Sequence, residues 1–256
     1  MMMLAYMSVN QVSVIMPARN AAKTVVESVR SVLAQPEVSE LVLVDDGSCD
    51  GTTELAKGVG DARVRVVPGP QSGVAAALNA GADAVTTEFV ARCDADDLYV
   101  PGRFAEQLEW LLTHPEYIAI SGAFASMTHS GKHIADLVHH EQSRDITQDL
   151  QRGVVISSFC TWLVRRDALR KAGGVRSWFI TASDVDLQCR LAAVGRVWFE
   201  PRVVYRYRLH GASITHSRSK EQLAFYDHWV KEFARQRAER GSDDLDDGCP
   251  PPVPEF

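Results

Sequence analysis

The sequence predicts an α/β fold in which a mostly parallel, Rossmann-like sheet is covered by helices on both faces. Stretches with helical periodicity alternate with short, almost wholly apolar runs at residues 12–16, 41–44, 64–67 and 89–91. Strands that are buried on both faces have this continuous apolar character. Of the 256 residues, 46% are hydrophobic and 23% are charged, as is usual for a folded protein. We therefore expect one compact unit with a sizeable core.

An apolar stripe predicts the first helix, because its members fall at i, i+4, i+7 and i+8: Val25, Val29, Val32 and Leu33. A second helix is predicted from Asp50 and a third over about 73–86. Pro101 suits the first turn of a fourth helix, and Pro115 ends it. These helices would cover the two faces of the sheet.

The second half of the chain has weaker patterns. Residues 129–143 are rich in His and Ser and are expected to be irregular. Regular signals then return as a strand at 160–164, a helix from Asp167, a helix at 184–194, strands at 197–199 and 203–209, and a last helix over about 218–240. This half predicts a smaller region beside the main sheet.

The formal net charge of −6 is concentrated at the C-terminus. Residues 241–256 carry five acids and neither Lys nor Arg, which leaves a net charge of −1 for the rest of the chain. A nearly neutral body gives no electrostatic reason to expect nucleic acid as a partner. The acids and the prolines at 250–252 predict that 241–256 is a disordered tail.

The five cysteines are odd in number and form no CxxC pair, which indicates neither a disulfide framework nor a zinc site. We therefore expect a reducing, cytoplasmic location. The apolar residues 1–7 are too few for a signal peptide and lack its basic residues, and no later window approaches the length of a membrane helix.

Carboxylates follow the fourth apolar run, in the segment RCDADD at 92–97. Asp94, Asp96 and Asp97 would lie at the carboxyl end of the sheet, where open α/β sheets bind ligands. A divalent cation would relieve their repulsion and bridge them to a diphosphate. The alternative is a solvated acidic turn in which Asp97 caps the next helix.

Three other segments carry candidate site residues. Asp46 ends the second apolar run and could accept a hydrogen bond from a nucleobase, or form an Asx turn. Ser183 and Asp186 have capping-box spacing, which leaves Asp184 as a candidate general base in the first turn of a helix. The alternating segment 205–210 puts two arginines and an imidazole on one strand face: Arg206, Arg208 and His210. This face suits a diphosphate, and the alternative is a half-exposed edge strand.

Taken in order, these motifs resemble the family 2 nucleotide-sugar glycosyltransferases, which have the GT-A fold. The resemblance spans about residues 10–216 and is carried by VSVIMPARN, LVLVDDGSCDGT, GVAAALNAGADA, FVARCDADD, KAGGV, SDVDLQCRL and YRYRLHGAS. Each motif is weakly specific, whereas the ordered set is strong evidence.

The resemblance implies a role for each matching position. The loop around the nucleobase and ribose would comprise Pro17, Ala18, Arg19 and Asn20. The donor would also contact Asp46 through its base, Asp94 near its ribose, and Arg208. A Mg²⁺ or Mn²⁺ ion on the diphosphate would be held by Asp96, with His210 nearby. Asp184 matches the catalytic base.

The implied reaction is inverting transfer of a sugar from a UDP-, dTDP- or GDP-linked donor to a hydroxyl of a saccharide or lipid-linked acceptor. Residues 8–100 would form the donor-binding half and 101–216 the acceptor and catalytic-base half. Ser183 stands where the family usually has an acid, and Arg19 where it often has an aromatic. The QxxRW motif of processive synthases is absent, which favours single additions.

Several alternatives stay open at this point. The chain could be a catalytically silent nucleotide-sugar-binding protein, or a nucleotidyltransferase, although a Gly-rich loop with a lysine is missing after the first strand. Trp178 and Phe179 could form an acceptor platform or simply pack. The amphipathic helix at 217–240 has a small excess of basic residues. It could rest on an anionic membrane, such as the inner face of the plasma membrane, or pack against the domain or a second subunit in a homodimer.

Overall fold

The computed structural model describes residues 12–209 and 218–256 of the chain. Its strands are β1 (Val12–Ala18), β2 (Val38–Asp45), β3 (Val64–Pro68), β4 (Phe89–Arg92), β5 (Leu98–Tyr99), β6 (Tyr117–Met127), β7 (His133–Leu137), β8 (Arg144–Asp145), β9 (Leu163–Arg165) and β10 (Arg196–Arg208). Its helices are α1 (Val25–Leu33), α2 (Thr52–Lys57), α3 (Val74–Ala84), α4 (Arg103–Thr113), α5 (Thr147–Gln151), α6 (Arg166–Lys171), α7 (Ser183–Val194) and α8 (Lys220–Arg240).

In these residues the strands form one sheet, with the order β3-β2-β1-β4-β9-β6-β10-β5, while β7 pairs with β6 and β8 with β10. The first four strands in this order are parallel neighbours, and β6 and β10 form a second parallel pair. β9 runs antiparallel to both β4 and β6 and joins the two halves. The predicted α/β fold is confirmed.

Strand β1 contributes to two cores, because successive strand residues point to opposite faces of a sheet. Val14 and Met16 pack with α1, α2 and α4, whereas Ile15 packs with α3, α6 and α7. The whole apolar run is buried, as predicted for a strand that is covered on both faces.

The predicted helices of the first half are confirmed. The stripe of α1 is fully buried at Val25, Val29 and Val32. In α4, Phe104 and Leu111 are likewise fully buried. Helices α1 and α4 therefore cover one face of the sheet, and α3 covers the other.

The second half differs from the prediction in several places, and its elements β6, β8 and α5 were not predicted. A single 13-residue strand, β10, replaces the two strands expected at 197–199 and 203–209. Its register against β6 shifts between Phe199 and Tyr205, where Pro201 lacks a backbone donor and the strand bends without ending. The start of the strand expected at 160–164 is a 3-10 turn, Phe159–Thr161. The region 129–143 contains the exposed strand β7.

Helix α8 packs against α7 through a small aromatic core. A capping box of Ser219 and Gln222 closes its first turn. Phe179 is buried against Tyr226 and Phe233, and the Trp178 ring lies 5.3 Å from the ring of Tyr226. Of the two alternatives for Trp178 and Phe179, an acceptor platform or packing, the structure shows packing, because α8 covers the pair.

The acidic tail differs from the predicted disorder. Asp243 is fully buried and forms ion pairs with Arg176 and Arg237. Composition alone misled the prediction, because these acids are counter-ions to arginines that are distant in sequence or lie on α8. None of the helices within 12–209 and 218–256 is long and apolar enough to cross a membrane.

Candidate functional site

The loops after β1 and β2 are tied together at the carboxyl edge of the sheet. The backbone N–H of Asn20 donates to Ser48 Oγ at 3.0 Å, and the N–H of Cys49 donates to Asn20 Oδ1 at 3.0 Å. Asn20 has a φ of 54°, a left-handed conformation that Asn tolerates better than most residues. Arg19 and Asn20 are exposed, and Pro17 is half-buried. The predicted donor loop at 17–20 therefore lies beside Asp46.

Asp46 carries a buried carboxylate oxygen without a hydrogen-bond partner. Its side chain accepts from the N–H of Gly73 through Oδ2 at 2.9 Å, while Oδ1 has no partner among the described residues. Asp45, not Asp46, makes the local turn contacts, because it accepts from the N–H of Ser48 and the hydroxyl of Thr53. A buried acceptor that is left unpaired is costly, and such groups commonly meet a ligand or water.

Asp94 is paired with Arg92 at the end of β4. The guanidinium donates to both carboxylate oxygens, from Nε to Oδ1 at 2.7 Å and from Nη2 to Oδ2 at 2.9 Å. The thiol of Cys160 lies 3.6 Å from Oδ2. The backbone N–H of Asp94 donates to Tyr205 Oη at 3.1 Å. Asp94 is thus held by groups from β4, the 3-10 turn and β10.

Asp97 anchors the acidic turn to β10. It is buried and accepts from Tyr205 Oη at 2.8 Å and from the N–H of Arg208 at 2.7 Å. Burial, with added repulsion from Asp94 and Asp96, raises the pKa of Asp97 well above its ordinary value. Helix α4 begins after Gly102, so Asp97 does not cap it.

Arg208 lies beneath the acidic turn and not on an open surface. Its guanidinium is buried and donates to the carbonyl of Asp96 at 2.6 Å, the carbonyl of His129 at 2.6 Å and Glu27 Oε2 at 2.7 Å. Through these contacts Arg208 fixes the shape of the acidic turn. Arg206, on the same strand, is exposed. His210 lies outside the described residues.

Arg103 and Tyr205, to which the sequence analysis assigned no role, hold the backbone around Asp94 and Asp97. Arg103 is buried and donates to the carbonyls of Cys160 at 2.9 Å and Trp162 at 3.2 Å, which fixes the 3-10 turn beside Asp94. Tyr205 joins the backbone of Asp94 to the carboxylate of Asp97. The signal for Arg103 was its place just after the RCDADD segment, and the signal for Tyr205 was the alternation at 205–208.

Asp184 lies in the first turn of α7 and is half-buried. Burial alone would lower the pKa of Arg92, but Asp94, then Cys160 and then Asp184 raise it well above its ordinary value. The candidate base and the donor-side acid are therefore both within electrostatic reach of one guanidinium.

The capping box predicted for α7 is wrong. The residue before the helix is Ala182, with a φ of 61° and no side-chain cap. Asp186 is instead fully buried and accepts hydrogen bonds from Arg176 and Arg190. Asp186 pairs with these arginines and does not cap the helix, because a buried carboxylate needs a counter-ion.

The structure brings Asp94, Asp96 and Asp97 into one turn, and Asp46 lies two strands away at the same edge. Neighbouring strands are about 4.8 Å apart, which puts their ends roughly 10 Å apart. Within residues 12–209 and 218–256, no group of three His, Cys, Asp or Glu side chains is close enough to hold a metal ion. A metal at this edge would therefore have to take ligands from a bound diphosphate, as Mg²⁺ commonly does.

Comparison with known proteins gives consistent results. The family model "Glycosyl transferase family 2" matches residues 13–173. The succinoglycan biosynthesis protein ExoU of Rhizobium meliloti (strain 1021) is 30% identical over 198 residues, which cover 72% of this chain and 57% of that protein. The putative glycosyltransferase EpsE of Bacillus subtilis (strain 168) is 31% identical over 196 residues, covering 72% of this chain and 68% of its own length.

Among solved structures, S. aureus TarS 1-349 in complex with UDP-GlcNAc matches with a TM-score of 0.70 and 16% identity. The match covers 90% of this chain and 73% of TarS 1-349. At this identity the likeness concerns the fold, which is of the GT-A type. With the family model covering more than half of its length, the chain belongs to glycosyl transferase family 2.

Proposed function

We propose that the chain transfers a sugar from a nucleoside diphosphate sugar to a hydroxyl group of an acceptor, with inversion at the anomeric carbon. The observation that carries the proposal is the position of Arg92 at the end of β4, where its guanidinium binds both carboxylate oxygens of Asp94. The charge of Asp184 also contributes to the raised pKa of Arg92, which supports a place for the candidate base near the donor-side acid. Membership of the family supports the reaction class.

The nucleobase is proposed to bind at Asp46. Its unpaired Oδ1 needs an N–H donor, which uracil and thymine supply at N3 and guanine supplies at N1. Cytosine has an acceptor at N3 and would face Oδ1 with a lone pair. This chemistry supports a UDP-, dTDP- or GDP-linked donor, with the loop at 17–20 around the base and ribose.

The diphosphate is proposed to bind beside Asp96 with a Mg²⁺ or Mn²⁺ ion. The donor set fits, because Mg²⁺ is commonly held by one or two carboxylates together with substrate phosphates. Asp96 would hold the ion and His210 would lie near it. Such an ion stabilises the charge that builds on the leaving diphosphate. Arg208 keeps the acidic turn in shape by binding the Asp96 carbonyl.

Asp184 is proposed as the general base that removes the proton of the acceptor hydroxyl. A carboxylate is a weaker base than the alkoxide that full deprotonation of the acceptor hydroxyl would form. The proton would therefore move late, as the hydroxyl attacks an oxocarbenium-like carbon opposite the leaving group.

The acceptor is proposed to be a saccharide or a lipid-linked saccharide, because ExoU is named for succinoglycan biosynthesis. We propose one addition per encounter. Peripheral binding to a membrane or formation of a homodimer would use the outer face of α8, whose other face packs on α7.

The proposal is tested by titrating UDP, dTDP, GDP and CDP into the protein by calorimetry, with and without Mn²⁺. We expect one of the first three to bind best, CDP to bind weakly, and Asp96→Asn to remove the Mn²⁺-dependent part of the affinity. Absence of binding by all four nucleotides would contradict it. Release of a nucleoside diphosphate separates an enzyme from a silent binding protein. It is measured with UDP-GlcNAc, or with a sugar-linked form of the nucleoside diphosphate that binds best.

A further inference from the structure

Five charged side chains form a buried cluster beneath α7, outside the site described above. They come from the loop before α7, from α7 itself, from α8 and from the tail, and we call them the α7–tail cluster: Arg176, Asp186, Arg190, Arg237 and Asp243. Both acids are fully buried, and the arginine side chains are between 6% and 13% exposed. Such a cluster is held together only if its charges remain matched.

Asp186 connects the cluster to the candidate base. It lies two residues after Asp184 on α7, which puts the two side chains about 200° apart around the helix. Asp186 accepts from Arg176 Nε at 3.0 Å and from Arg190 Nε at 2.9 Å. Arg190 also donates to the carbonyl of Gly174 at 2.6 Å. The rotation of the first turn of α7 is therefore set from its buried side.

Asp243 connects the cluster to the tail. Its carboxylate accepts from Arg176 Nη1 at 2.8 Å and Nη2 at 2.9 Å, and also from Arg237. The backbone N–H groups of Leu245 and Asp246 donate to the same carboxylate at 2.9 and 3.1 Å. One tail residue thus binds an arginine of the loop before α7, an arginine of α8 and its own turn.

The carboxylate of Asp243 is needed to match the charges of the α7–tail cluster. Three guanidinium groups face the two buried carboxylates, and the exposed carboxylate of Asp246 also pairs with Arg176 at 3.3 Å, so the charges match. Without the carboxylate of Asp243 one positive charge would be left unmatched next to the first turn of α7. Unmatched charge in a buried environment is costly, and the turn that carries Asp184 is held to the cluster through Asp186.

We propose that Asp243 is a positioning residue for Asp184, acting through Arg176 and Asp186. The proposal rests on the proposed role of Asp184 as the base. The tail would therefore act in the acceptor step and not in donor binding. Among the described residues, no hydrogen bond or ion pair joins the cluster to the donor loops at 17–24 and 46–52.

The test uses the full chain with Asp243→Asn, and with Asp247→Asn as the control because Asp247 is an exposed acid of the same tail. Hydrogen exchange should be at least tenfold faster in residues 183–187 of Asp243→Asn and unchanged at 17–24 and 46–52. For UDP release from UDP-GlcNAc, kcat should fall at least tenfold while the donor KM stays within twofold. The control should match the wild type.

A double variant, Asp243→Asn with Arg237→Gln, restores the charge balance of the cluster. We expect it to fold and to return both the exchange of 183–187 and kcat to within threefold of the wild type. The proposal is overturned if α7 exchange is unchanged in Asp243→Asn, if the donor loops loosen equally, or if the double variant is unfolded or unprotected. A wild type that releases no UDP counts against the proposed function or donor, while the exchange data still decide this inference.

Discussion

Arg92 donates to both carboxylate oxygens of Asp94, at 2.7 Å from Nε and 2.9 Å from Nη2. Planar guanidinium groups bind carboxylates in this bidentate way with strict geometry. The charge of Asp184 also contributes to the raised pKa of Arg92, so the candidate base acts electrostatically on the same guanidinium that binds Asp94. The electrostatics of the site therefore depend on one arginine at the end of β4.

Arg92→Met should lower the free energy of unfolding by about 3 kcal/mol, because it leaves a largely buried carboxylate without its partner. Nucleotide affinity should fall as well, since Asp94 loses its fixed orientation. Urea unfolding and calorimetry measure the two effects. Arg235→Met is the matched control on an exposed face of α8, and it should cost less than about 1 kcal/mol. Equal costs for the two variants would remove Arg92 from this role.

Asp46→Asn should reverse the preference for the nucleobase. An amide that keeps Oδ1 toward the N–H of Gly73 presents an NH₂ donor where the wild type has an unpaired acceptor. We expect UDP affinity to fall by roughly 10- to 100-fold, which corresponds to about 1–3 kcal/mol, and CDP to bind better than UDP. Competition between the two nucleotides measures the ratio. An unchanged ratio would place the base elsewhere.

The contribution of Asp243 to stability should disappear in acid. Burial alone would raise the pKa of Asp243, but hydrogen bonds from Arg176 and the charges of Arg176 and Arg237 hold it below its ordinary value. A carboxyl group with a lowered pKa in the folded state stabilises the fold above its unfolded pKa of about 3.9, and this contribution is lost as pH falls through the folded value.

The difference in unfolding free energy between the wild type and Asp243→Asn should therefore be constant from neutral pH down to about pH 4 and shrink below it. Urea unfolding at a series of pH values measures this. A difference that shrinks already between pH 7 and pH 5 would mean that the Asp243 carboxyl is protonated far more easily than its arginine partners allow.

Local patterns were sufficient to predict much of the fold. The stripe of Val25, Val29 and Val32 and the apolar run of β1 describe neighbours within one element, and both are confirmed. The order of motifs identified the family. What could not be predicted depends on contacts between residues far apart in sequence, such as Arg208 with the carbonyl of Asp96, and Arg176 with Asp243.

The same reason explains the errors at α7 and in the tail. Ser183 and Asp186 have the spacing of a cap, but the spacing contains no information about Arg176 or Arg190. The composition of an acidic tail predicts disorder as long as the arginines that pair with it are unknown. Both predictions were wrong because charge pairs between residues far apart in sequence cannot be seen in a local pattern.

The central claim is that Asp184 acts on the acceptor beside a donor held by other residues. Asp184→Asn, compared with the wild type, tests it through two measurements on one protein: Mn²⁺-dependent nucleotide affinity and the rate of nucleoside diphosphate release from the preferred donor. We expect the affinity to stay within about threefold and the rate to fall at least 100-fold, the scale of general acid–base catalysis. Full turnover by Asp184→Asn would contradict the account.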